Sequence, residues 1–131
     1  MQNIFFNLEN EWIKKAKRYV AFYNFQHIDE EPISFSTLAR EVLREKLKDG
    51  LDVSEILDNI APQSDYRVCR VGLAEKDVKD LENEKQKFCE KGLNVSSGAI
   101  LRASLKEFLT KEPKWPNMSK YIPMQSTSTS K

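Results

Sequence analysis

Apolar and polar residues alternate over Ile4-Phe5-Phe6-Asn7-Leu8, and again 65 positions later over Cys69-Arg70-Val71-Gly72-Leu73. A period of two belongs to a half-buried strand, so Ile4, Phe6 and Leu8 share one inward face and Cys69, Val71 and Leu73 another. Each run leads into an acidic segment, Glu9-Asn10-Glu11 or Glu75-Lys76-Asp77. Acidic side chains suit a helix N-terminus because they oppose its positive dipole end. The apolar spacing then becomes helical: Trp12, Ile13, Ala16, Val20 and Tyr23 in the first copy, Val78, Leu81, Lys85 and Phe88 in the second. Gly92 supplies a C-terminal stop for the latter helix. A second helix follows in each copy. Ser36 opens one that carries Leu38, Ala39, Val42, Leu43 and Leu47 and closes at Gly50, while Ser96-Ser97 open another with Ala99, Ile100, Ala103 and Phe108. Serine is a strong N-cap, and these starts lie 61 positions apart, which assigns four extra residues to the loop around His27–Pro32.

The order strand, helix, helix thus occurs twice. About 45 residues with one strand and two short helices cannot bury an adequate core alone. Two copies can, if their strands pair antiparallel and their helices interlock. The predicted fold is mainly α with a short two-stranded antiparallel ribbon, a pseudo-dimer within one chain. It divides into a first repeat over 1–48, an acidic linker over 49–65 with a short helix over Val53–Asn59, a second repeat over 66–111 and a tail over 112–131. The tail has three prolines and a Ser/Thr run and is predicted to be largely disordered. Its Trp115, Tyr121 and Ile122 are unusual for a spacer and have two readings, docking on the domain or on a partner. The competing fold is a helical bundle without a ribbon.

Composition narrows the classes. The 131 residues are 40% hydrophobic and 31% charged, a globular balance with no stretch approaching the roughly 20 apolar residues of a membrane helix. The start, MQNIFFNLENEW, lacks the pattern of a secretory signal. Four scattered glycines form no phosphate loop, and two cysteines with one histidine form no closely spaced ligand set. No nucleophile has a base and an orienting group in view, so the expectation is no enzyme, no cofactor and no metal. His27 stands beside Asp29, Glu30 and Glu31 and reads as a polar loop, with a metal site as the alternative. Cys69 and Cys89 read as buried reduced thiols of a cytoplasmic protein. Residues 49–65 hold five acids and no base, so the remainder of this chain of net charge +1 carries +6. Two readings fit, a masked basic surface or a well-mixed solvated one. The crowd of Tyr19, Phe22, Tyr23 and Phe25 beside Trp12 likewise fits either a longer core or a second apolar face for association.

The segments NIFFNLENEW with FSTLAREVLREKL, and RVCRVGLAEKDV with VSSGAILRASLKEFL, resemble the ribbon-helix-helix (Arc/MetJ-type) family of DNA-binding proteins. The resemblance spans roughly residues 2–48 and 66–111. The tandem arrangement is similar in architecture to the TraY type of relaxosome accessory protein from conjugative plasmids. It implies an antiparallel ribbon in the major groove of double-stranded DNA. The outward residues would then read bases: Asn3, Phe5 and Asn7 on one strand, Val68, Arg70 and Gly72 on the other. Asparagine pairs bidentately with adenine and arginine with guanine. Phe5 either meets a thymine methyl or is partly buried against the neighbouring strand, and Gly72 leaves its part of the groove unread. Because the two sets differ, the expected DNA site is asymmetric, or a direct repeat of such a site. The family also holds phosphates at the start of the second helix, which maps to Ser36, Thr37, Ser96 and Ser97, with Arg67 and Arg40 as further phosphate candidates and plain surface placement as the alternative for Arg40. The implied roles are a transcription regulator or an origin-binding factor in plasmid conjugation, with self-association along DNA. The alternative is an antitoxin-like interaction module whose tail binds a protein partner.

Overall fold

A computed structural model describes residues 1–111 of the chain. The predicted disorder of the tail and the docking of Trp115, Tyr121 and Ile122 concern residues outside that range. Within it the elements run β1 (Gln2–Glu9), α1 (Asn10–Gln26), α2 (Phe35–Asp49), α3 (Val53–Leu57), β2 (Tyr66–Leu73), α4 (Glu75–Glu90) and α5 (Ser97–Lys111). The protein is mainly helical with one two-stranded antiparallel sheet, in which Phe5 faces Arg70 and Phe6 faces Cys69. Both strands are longer than the alternating runs, because pairing continues from Gln2↔Leu73 to Glu9↔Tyr66. None of the described helices is long and apolar enough to cross a membrane.

The inner face of the ribbon follows the expected alternation. Phe6, Leu8, Val71 and Leu73 are buried, with Ile4 and Cys69 partly buried against the same core. Two isolated strands of this length would be marginal in water. Here α2 packs on β2, α5 packs on β1, and the two helices pack on each other beneath the sheet. Leu43, Ile100, Leu101 and Leu105 are wholly buried at this crossing, and Phe6 stacks on Phe35 at 6.4 Å between centroids.

Several positions differ from the sequence expectation. The cap of α2 is Ser34, whose hydroxyl accepts from the Thr37 N–H at 3.2 Å, so the helix begins before Ser36. In α5 the corresponding cap is Ser96, which accepts from the Ala99 N–H at 3.1 Å. The capping serines Ser34 and Ser96 lie 62 positions apart, against the 61 expected between the two helix starts. Ser36 lies two residues inside the helix, and its hydroxyl is engaged by the Gly72 N–H instead of capping α2. Gly50 and Gly92 close α2 and α4 with φ of 110° and 86°, where an L side chain would be strained. Cys89 is exposed rather than buried, since it lies one residue past the inward Phe88, and Cys69 is only half-buried; burial pushes its thiol pKa up. Among the aromatics of α1, Phe22 is buried, Tyr19 meets Phe108 edge-on at 5.1 Å, and Phe25 stays exposed. The Asn24 amide bonds both the N–H and the carbonyl of Ile33, which ties the extra loop to α1. His27 stacks on Tyr23 and donates from Nδ1 to its carbonyl at 2.8 Å.

Charged groups also enter the core, which the apolar pattern does not show. Arg102 is 4% exposed and donates to the carbonyls of Asn59, Ile60 and Asn7 at 2.9–3.1 Å. It thereby holds the linker and β1 to α5. Glu9 is buried against Lys106 at 2.7 Å and accepts from the Gln63 N–H, while Asp77 is gripped by two nitrogens of Arg44 at 2.9 and 3.0 Å. Glu107 is held between Lys46 and Lys111.

Replacing Arg102 by Met leaves three carbonyls without their donor, and roughly 3 kcal/mol or more of stability should be lost. Urea unfolding at neutral pH measures it; a loss below about 1 kcal/mol would mean that water serves these carbonyls equally well.

Burial raises the pKa of Glu9 and Asp77, but the bonds from Lys106 and Gln63, and from Arg44 and Ala74, outweigh it and leave both carboxyls below their ordinary values. Hydrogen bonds from Lys111 and Lys46 hold Glu107 low as well. A carboxyl depressed in the folded state stabilises it fully above the unfolded pKa, near 4, and loses that contribution as pH falls through the folded value. The urea midpoint should therefore stay level down to about pH 5 and drop below about pH 4. Asp77→Asn should lower the midpoint at neutral pH and flatten the acid limb.

Candidate nucleic-acid interface

The ribbon buries one face and leaves the other open. On the open side the register pairs Asn3 with Gly72, Phe5 with Arg70 and Asn7 with Val68, so all six outward residues face one another across the sheet. Phe5 is 63% and Val68 66% exposed, whereas Phe6, Leu8, Val71 and Leu73 on the inner face are at most 4% exposed. The Phe5 ring is thus mostly open, with Arg70 of the neighbouring strand directly across from it. Asn3 and Arg70 are exposed and Asn7 is partly so. Among the described residues, the side chains of Asn3, Asn7 and Arg70 have no hydrogen-bond or ion-pair partner. The outer face thus presents two free amides and a free guanidinium beside two apolar side chains.

The backbone at this face is fixed from below. The Ser36 hydroxyl accepts from the Gly72 N–H at 2.9 Å, and Arg40 donates to the Gly72 carbonyl at 2.9 Å. Together they occupy both peptide groups of Gly72 on the outer edge of β2, which would otherwise be open to strand addition. Arg102 makes the matching bond to the Asn7 carbonyl on β1 at 2.9 Å. A side chain at position 72 would press on the Met1 sulfur, 3.3 Å from where its Cβ would lie, so glycine keeps this corner shallow.

The first turns of α2 and α5 approach the ribbon from opposite flanks. Ser36 of α2 touches β2 at Gly72, and Gly98 of α5 lies against Phe6 of β1. The first N–H groups of a helix have no intrahelical acceptor. Those of Phe35 and Ser36, and of Ser97 and Gly98, have no partner among the described residues. The hydroxyls are differently placed. Thr37 shares a bond with Ser34, Ser96 is the cap, and Ser97 receives the Lys85 ammonium at 3.3 Å. With Ser36 engaged by Gly72, the backbone rather than the serine hydroxyls is what these turns offer an anion. The Arg67 side chain is exposed and has no partner among the described residues, but its register opposite Leu8 puts it on the strand's inward parity, at the ribbon's end. Arg40, bonded to Gly72, is a strut of the sheet rather than a free cation.

Sequence reasoning placed the six outward residues by alternation alone. It did not find the Arg40 and Arg102 struts, for which the available signal was an arginine at the sixth residue of each second helix. Comparison with protein-family models, curated proteins and solved structures finds no match for this chain.

Because the Arg70 side chain is exposed and has no hydrogen-bond or ion-pair partner among the described residues, Arg70→Ala should alter stability by less than about 0.5 kcal/mol. Thermal unfolding checks this; a larger loss would mean that the guanidinium supports the sheet rather than standing free for a ligand.

Proposed function

We propose that the protein binds double-stranded DNA sequence-specifically, with the outer face of the β1–β2 ribbon in the major groove. The observation that carries this reading is the pairing of free hydrogen-bonding side chains on an uncovered two-stranded ribbon with two helix N-termini that flank it. A major groove about 12 Å wide accepts a two-stranded ribbon. Asn3, Asn7 and Arg70 have the donor and acceptor geometry for adenine and guanine edges, and Phe5 and Val68 suit thymine methyls. The helix N-termini would receive phosphates from the two sides, fixing register without reading sequence.

The chain acts in this reading as a tandem pseudo-dimer, and three relations support that. Phe5 and Arg70 face each other and are also 65 positions apart, so a pseudo-dyad relating the strands passes between them. Arg40 and Arg102 occupy the same position of α2 and α5 and bond the carbonyls of Gly72 and Asn7, which correspond under that offset. Four residues further along each helix, Arg44 and Lys106 reach the acids Asp77 and Glu9, at the starts of α4 and α1. The framework is two-fold while the reading residues are not: Asn3, Phe5 and Asn7 correspond to Val68, Arg70 and Gly72. The bound sequence is accordingly non-palindromic. The biological role that follows is a cytoplasmic regulator of transcription or an accessory factor at a plasmid transfer origin.

Selection of bound duplexes from a random pool at moderate salt tests the proposal. The expected result is a short asymmetric motif, with affinity that falls steeply as salt rises. Arg70→Ala should relax preference at one base position by about 1–3 kcal/mol. A palindromic motif would overturn the single-chain reading, and no enrichment at any salt would overturn DNA binding.

A further inference from the structure

Away from the ribbon, α1, α2 and α5 leave a groove of about 500 Å³. Its floor is apolar, formed by Tyr19, Tyr23, Ile33, Leu38, Val42 and Phe108. Its rim on α2 is acidic: Glu41, Glu45 and Asp49 recur at four-residue spacing along one side of that helix. Glu41 is paired with Arg44, but Glu45 and Asp49 have no cationic partner among the described residues. The lysines of the lining, Lys46 and Lys111, are both engaged by Glu107, so an open apolar floor beside Glu45 and Asp49 fits an aromatic side chain that arrives beside a positive charge.

The chain's own continuation has that chemistry. Residues 113–131 contain three lysines and no acid, and each aromatic follows a lysine directly: Lys114-Trp115 and Lys120-Tyr121. The position is also favourable. Lys111, the last residue of α5, lines the groove, and Trp115 is four residues further on. Four residues span at most about 14 Å, so any site that Trp115 occupies in its own chain lies close to this groove. The linkage to the same chain also raises the effective concentration of the segment, so a weak contact suffices to fill the groove.

We propose that the groove is the docking site of the chain's own C-terminal segment, with Trp115 on the apolar floor and Lys114 and Lys120 toward Glu45 and Asp49. No residue of the ribbon lines the groove, so a docked segment leaves the outer face of the sheet open. The inference therefore stands or falls separately from DNA binding.

NMR of the full chain, with labelled methyl groups, tests it. The expected result is nuclear Overhauser contact from the Trp115 indole to the methyls of Leu38 and Val42. These contacts should be lost in the Glu45→Lys, Asp49→Lys double variant and should return when Lys114→Glu and Lys120→Glu are added to it. Absence of the contacts in the unaltered chain, with the amide spectrum of a folded domain, would overturn the proposal. So would contacts that arise only between labelled and unlabelled chains in a mixed sample, because the occupant would then be a second copy. Contacts that survive the double charge reversal would overturn the role of the acidic rim.

Discussion

The fold depends on closing one face of a ribbon that cannot exist by itself. Two eight-residue strands offer a single apolar face and two open edges, and in water such a pair is marginal. The strands are far apart in sequence, so no tight turn holds them together and the entropy of closing the intervening chain must be offset by burial. That burial comes from α2 and α5, which cross beneath the sheet and meet the strands in exchanged order, α2 on β2 and α5 on β1. Neither half has a covered strand without the other.

Polar contacts then fix how the halves sit. An apolar crossing tolerates small rotations, whereas a hydrogen bond to a particular carbonyl does not. Arg40 and Arg102 each fasten one strand to one helix through such a bond, and Arg102 also holds the linker at Asn59 and Ile60. The Arg44–Asp77 and Lys106–Glu9 pairs fasten the same helices to the starts of α4 and α1. Buried charges are costly to desolvate; Arg102 meets that cost with bonds to three carbonyls, Asp77 with two nitrogens of Arg44 and the Ala74 N–H, and Glu9 with Lys106 and the Gln63 N–H on one of its two oxygens. Their contribution is to position, and the outer face of the ribbon inherits the result.

Two chemically distinct surfaces follow from this arrangement. The sheet presents free amides, a free guanidinium and apolar side chains, backed by helix N-termini that favour anions. The groove among α1, α2 and α5 presents an apolar floor under an acidic rim, which favours cations. Under the proposed function and the proposed docking, nucleic acid and the chain's own basic segment go to different sides of the molecule because their charges are opposite. Under the same two proposals, the acids at the ends of α2 and α3 disfavour phosphate at the second surface.

Local periodicity was enough to predict the strands, the helix order, the short linker helix and the division of each strand into inner and outer residues. These follow from side-chain geometry: successive residues of a strand must alternate, and a helix must bury one stripe. The outward set, Asn3, Phe5, Asn7, Val68, Arg70 and Gly72, was legible for the same reason. Other features had no local signature. Ser34 and Ser36 are equally good caps by composition, and only the backbone path selected Ser34. Ser36 reads as a helix start and Arg40 as a phosphate contact or a surface residue until β2 arrives with Gly72 between them. Arg102, Glu9 and Glu107 read as solvated charges and became buried because their partners come from the linker and from distant helices. The sequence by itself determined which residues form each element and which side of it is apolar, since those are properties of neighbours along the chain. Only the tertiary structure decided which charges are buried, which hydroxyls are engaged and which side chains stay free for a ligand, because each of these depends on a group that sequence separation places tens of residues away.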